Sequence, residues 1–239
     1  MAHAEPEAAA GLNLPVVTGS ALGFTAGYVD TVGFVALFGL FTAHVTGNFV
    51  LIGSELVRPT NGVLIKFLAF PAFILAVVGA RLLALSLERN GRPLKGALLL
   101  LQVALLAACM LCGWRAQPIA DAGAPWVLAT GLFGAAAMGV QNAAARLAFS
   151  ELTPTTVMTG NVTQLVIDLV DLGRGAADAA VRQRLHKFLW PILAFAAGAI
   201  AGAFAFVHAG LWALGLPALI LLALAAGSGL RRAESAKPA

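Results

Sequence analysis

The chain has 239 residues, 60% hydrophobic and 11% charged, with a mean hydropathy of +0.89. Soluble domains carry about a quarter of charged residues, so a water-soluble enzyme or binding domain is excluded and one compact membrane unit is expected. A formal charge of +4, scattered along the chain, excludes nucleic acid as a partner; membrane lipid and a small solute remain, and a homo-oligomer is compatible with both.

Residues 1–12 read as a disordered lead. They lack the positive segment a secretory signal needs, the first Lys or Arg being Arg58. Six runs hold the roughly 20 apolar residues that crossing a bilayer takes: 14–38, 63–87, 96–114, 125–149, 188–207 and 211–229. Cys109 and Cys112 sit among Ala and Leu in the third run and read as buried small hydrophobes. No metal and no cofactor is expected. Residues 231–239 form a short polar tail.

Two further helical patterns are too short to span. Thr46-Gly47-Asn48 opens one and Thr159-Gly160-Asn161 the other. Each reaches roughly 16–21 Å at 1.5 Å per residue, against a hydrocarbon core of about 30 Å. The same unit precedes each inside a long apolar run: Gly27-Tyr28-Val29-Asp30 and Gly139-Val140-Gln141-Asn142. A four-point match recurring half a chain later is an internal duplication, with a first repeat over 13–115 and a second over 124–230.

If the short helices dip in and return, the six runs put ten basic residues on one side: Arg89, Arg92, Lys95, Arg174, Arg182, Arg184, Lys187, Arg231, Arg232 and Lys237. The other side receives three, Arg58, Lys66 and Arg115. The positive-inside rule then places both termini in the cytoplasm. Trp114, Trp126 and Trp212 fall at outer ends and Trp190 at an inner end, as interfacial belts require. Three spans per repeat is an odd number, so the second copy is inserted upside down, as in many transporters. The expected fold is an all-α membrane protein: six transmembrane helices plus two re-entrant short helices in two inverted three-helix repeats. Gly23-x-x-x-Gly27, Ala135-x-x-x-Gly139 and Ala194-x-x-x-Gly198-x-x-x-Gly202 are small-residue stripes that let helix backbones approach.

Gly-x-x-Asp with Phe41-Thr-Ala-His-Val-Thr-Gly-Asn48, and Gly139-Val-Gln-Asn142 with Thr155-Thr-Val-Met-Thr-Gly-Asn161, resemble the YoaK-type family of bacterial integral membrane proteins. The resemblance covers about residues 15–229 and implies a polytopic protein of the bacterial inner membrane. That family carries no assigned function, so the resemblance implies no substrate and no functional residue.

A helix that begins inside a membrane exposes unpaired N–H groups and the positive end of its dipole, and protein, water or ligand must satisfy them. Thr46 and Thr159 are placed to cap with their hydroxyls. Gly47 and Gly160 admit a backbone or an anion; Asn48 and Asn161 offer an acceptor and two donors without charge. Entering from opposite faces, the two starts would point toward each other near the midplane and favour a small anion or polar solute. The two Asn side chains alternatively tie each short helix to its neighbours.

Asp30 is the only carboxylate deep within a long run, and an intramembrane acid is costly enough to be a functional hypothesis. Its counterpart Asn142 is neutral, an asymmetry a proton-coupled carrier can use; alternatively Asp30 caps the first short helix. His44 suits a relay or an outer gate, or is an ordinary loop histidine. Gln141, Thr155 and Thr156 are expected to line the second half-site, with Gln164 facing the same cavity. Arg146, one turn from Asn142, either pairs with substrate or snorkels to the cytoplasm. Asp168, Asp171 and Asp178 read as a solvated charged loop leading into the basic segment 174–187.

Hydrolase, zinc-protease and nucleotide-loop motifs are missing, so no enzyme is expected. The leading expectation is a small-solute secondary transporter, proton-coupled through Asp30. The alternatives are a channel-like pore for a small anion or neutral solute, and a non-transporting scaffold or an enzyme on lipid-soluble substrates.

Overall fold

The computed structural model describes residues 14–58, 61–175 and 179–235, the side chains of 229–235 excepted. The expected lead, Asp178 and the last four residues of the tail lie outside the described residues. The order is α1 (Leu14–Ala36), α2 (Gly47–Val57), α3 (Val63–Arg89), α4 (Leu94–Arg115), α5 (Pro125–Leu147), α6 (Thr159–Gly173) and α7 (Ala179–Ala209). A 3₁₀ turn (Gly210–Leu214) then joins α7 to α8 (Gly215–Ser235).

Among the described residues four segments are long and apolar enough to cross a membrane: α3, α4, α5 and the continuous stretch Ala179–Ser228. α1 matches α5 at 23 residues but is diluted by Thr18, Ser20, Thr25, Asp30 and Thr31. Phe67, Leu75 and Leu82 on α3 and Ile200, Phe204 and Val207 on α7 are each more than half exposed. Water penalises so large an apolar surface, whereas lipid accepts it, as in a helical membrane protein.

Small residues set the closest crossings. α1 packs along α7, where a Cβ on Gly27 would collide with the Phe195 carbonyl and one on Gly198 with that of Phe24. α5 packs on α3, and a Cβ on Gly139 would lie 2.8 Å from the Phe73 carbonyl. Other pairings are α2 on α3, α6 on α7, α1 on α8 and α4 on both α5 and α8. Exchanging α1–α4 with α5–α8 maps each of these pairings onto another of them or onto itself, whereas the lighter packing of α3 on α4 has no counterpart between α7 and α8 among the described residues.

Two boundaries differ from expectation. α7 starts at Ala179, nine residues before Phe188, so Arg182, Arg184 and Lys187 ride on helix rather than loop. Val181, Leu185 and Phe188 recur at helical spacing and give these turns an apolar stripe, which a hydropathy window hides behind the charges. α8 likewise continues to Ser235, into the expected tail.

Candidate functional site

α1 ends in a turn at Phe38 and Gly39, both at positive φ (55° and 75°), after which residues 41–44 return to Asp30. The buried Asp30 carboxylate accepts the N–H groups of Thr42 and Ala43 on Oδ1, each at 2.7 Å. Its Oδ2 lies 2.6 Å from His44 Nδ1. The Asp30 bond raises the pKa of His44 above its ordinary value, against the opposing effect of burial. Asn48 brackets the same loop from the other end: Nδ2 donates to the Phe41 carbonyl at 2.8 Å, and Oδ1 accepts the Phe41 N–H at 2.9 Å. The N–H groups of Gly47, Asn48 and Phe49 are taken by the carbonyls of His44, Val45 and Thr46. A Cβ on Gly47 would stand 3.2 Å from the Phe41 ring. The first helix start is closed.

The second start repeats the plan with fewer bonds. Asn161 also reaches seven residues back, Nδ2 donating to the Pro154 carbonyl at 2.7 Å. The reciprocal bond cannot form, because proline has no N–H. Asn142 donates to Thr156 Oγ1 at 2.7 Å. Among the described residues the N–H groups of Thr159, Gly160 and Asn161 have no backbone acceptor; the first to find one is that of Val162, at 2.9 Å from the Met158 carbonyl. Open space lies beside Gly160. A cavity of about 570 Å³ occupies this place, lined by Asn142, Arg146, Thr156, Gly160 and Asn161 among others. Arg146 is exposed and pairs with no carboxylate among the described residues.

Several expectations are corrected. Neither Thr46 nor Thr159 caps with its hydroxyl. Thr46 already has helical dihedrals (φ −68°, ψ −24°) and Thr159 lies inside α6, whereas a capping side chain needs extended backbone. Asp30 caps the turn at 42–44 rather than α2. Gln141 is fully buried away from the cavity: it accepts from Gln102 at 2.7 Å and donates to the Leu22 carbonyl at 2.8 Å and to Thr155 Oγ1 at 3.2 Å. It ties α5 to α4 and α1. Gln164 donates to Asp168 Oδ1 at 2.9 Å instead of facing the cavity. No close backbone pairing joins α2 to α6 among the described residues; each short helix sits against its own partner helix, α2 on α3 and α6 on α7.

Asp168 is completely buried rather than solvated, and takes a forked pair from Arg184, Nε at 3.2 Å and Nη2 at 2.8 Å. Its counterpart escaped the sequence reading: Glu55 Oε1 accepts from the buried Lys66 Nζ at 2.7 Å, and the same ammonium donates to the Phe38 carbonyl at 2.5 Å. Glu55 and Asp168 each stand seven residues after the motif's Asn. That spacing was the available signal. Each acid pins a short helix to the start of the long helix after it.

The chain belongs to the family described as Protein of unknown function (DUF1275), which it matches over residues 18–227, both motif units included. That is an uncharacterised family, and its description does not carry the YoaK label. No curated protein and no solved structure matches the chain.

Proposed function

We propose that the protein is a small-solute secondary transporter of the bacterial inner membrane. α1, α3, α4, α5, α7 and α8 span, α2 and α6 are re-entrant, and the two halves are inverted repeats. The observation that carries this reading is the unequal state of two equivalent units: one is sealed by its own hydrogen bonds, the other opens on a cavity. Carriers built from inverted repeats work by rocking one part against the other around a site at the repeat interface. With the basic segments inside, α5 runs inward and its cavity faces the cytoplasm, while Asp30 and His44 lie toward the outside. The molecule is then an inward-open carrier. The exchange of helix pairings between halves supports the duplication behind it.

The chemistry of coupling follows from Asp30. As a carboxylate it accepts two N–H groups and holds the His44 ring; once protonated it becomes a poorer acceptor, and the outer unit loosens. Transport of a small anion is coupled in this way to proton binding from outside.

The test is flux into proteoliposomes, read as solid-supported-membrane currents and as tracer uptake under pH steps, with wild type beside Asp30→Asn. The expected result is a saturable, proton-dependent flux that the substitution abolishes. Flux rising linearly with gradient would instead indicate a pore, and folded protein without flux for any solute would end the proposal.

A further inference from the structure

The cavity at the start of α6 has a charge balance that narrows its occupant. Arg146 is the one cation lining it, and among the described residues no Asp or Glu lines it. Gly160 and Asn161, whose N–H groups lack backbone acceptors, also line it. α6 runs for 15 residues, so its dipole adds to a positive field, and such helix starts take anions. A guanidinium matches a carboxylate with two parallel hydrogen bonds.

Size and lining favour an organic ligand over a bare inorganic ion. A cavity of about 570 Å³ is roughly nineteen times the share of liquid volume of one water. The rest of its wall includes the apolar Ala145, Leu152, Pro154 and Val157, surface that an organic body covers better than water does. A single guanidinium balances one negative charge. We infer that the cavity takes a small organic monocarboxylate, its carboxylate on Arg146 and the α6 start and its apolar body along those four side chains. This rests on the reading of the cavity as the solute site.

The experiment is calorimetric titration of the full-length protein in lipid nanodiscs with butyrate, benzoate, their neutral amides, chloride and inorganic phosphate. Wild type is compared with Arg146→Gln, Arg146→Lys and Gly160→Leu. The acids should bind saturably and the amides not at all. Arg146→Gln should weaken binding about ten- to a hundredfold, the usual effect of losing hydrogen bonds to a charged group, with Arg146→Lys between the two. Gly160→Leu should fill the open space and abolish binding. The inference is overturned if no acid binds, if amides or phosphate bind as well as acids, or if Arg146→Gln, with an unchanged melting temperature, leaves the affinity unaltered. Uptake assays separate it from the transporter reading. Carboxylate binding without uptake keeps the inference and ends the transporter; uptake of a solute that is no carboxylate, indifferent to Arg146→Gln, does the reverse.

Discussion

Around Asp30 the loop before the short helix is held at both ends, by a carboxylate that collects the N–H groups of Thr42 and Ala43 and by Asn48, which exchanges two bonds with Phe41. Around Asn142 the corresponding loop has two neutral amide-to-hydroxyl bonds, Asn142 to Thr156 and Gln141 to Thr155, and Asn161 donates to the Pro154 carbonyl and towards Met158 Sδ. Two differences of residue type account for the contrast. A carboxylate accepts charge-assisted bonds roughly twice as strong as those of a neutral amide, and Pro154 cannot return the bond that Phe41 returns. One unit therefore shuts its helix start, while in the other the N–H groups of Thr159, Gly160 and Asn161 lack backbone acceptors. The lesson is that a duplicated motif conserves backbone plan while single side chains decide whether the site is occupied by protein or left to a ligand.

The sharpest way to break this comparison is to remove its two central side chains. Asp30→Leu leaves two buried N–H groups and a histidine without their acceptor, and should cost roughly 3–5 kcal/mol of stability. Asn142→Leu removes a single neutral bond and should cost about 1 kcal/mol. Unfolding in mixed micelles, followed by tryptophan fluorescence, measures both. Equal losses would show that the first unit is no more tightly closed than the second.

The two ion pairs sharpen it next. Lys66 is 1% exposed at its side chain and Arg184 46%. Lys66→Met strands the Glu55 carboxylate, whose Oε2 is already buried without a partner, and should cost about 3 kcal/mol. Arg184→Met leaves Asp168 with Gln164 and lets water approach, for a loss of roughly 1–2 kcal/mol. The same unfolding assay ranks them, and a reversed order would mean that α6 rather than α2 is the more firmly anchored short helix.

Much of this was legible in the chain itself. The apolar runs forecast the long helices because hydrocarbon selects for composition, and the paired Thr-Gly-Asn motifs located both short helices. The closed and open states are also written there, in Asp30 against Asn142 and in Phe41 against Pro154. The burial of Asp168 was hidden because its partner Arg184 lies 16 residues away on turns of α7 that charge disguises as loop. Gln141 was misplaced because its fate depends on Gln102, 39 residues away on α4, a tertiary pairing that periodicity cannot indicate. The packing of α2 on α3 and of α6 on α7 is likewise tertiary and is not written in the periodicity of the short helices.

The smallest expected effect is a dependence on pH that only the first unit has. Hydrogen bonding to Asp30 raises the pKa of His44 above its ordinary 6.5, with burial pulling the other way. A proton bound more tightly by the folded than by the unfolded chain stabilises the fold. That contribution is complete below the ordinary value and is lost as pH climbs through the raised one. Wild-type stability should therefore fall on the alkaline side of about 6.5, and His44→Gln should flatten the fall. Asn142 and Thr156 do not titrate, so Thr156→Val should leave the slope as it is in wild type. The loss stays below that of Asp30→Leu because Asp30 still holds the N–H groups of Thr42 and Ala43 after His44 has given up its proton. A slope that survives His44→Gln would assign the titration to a group other than His44.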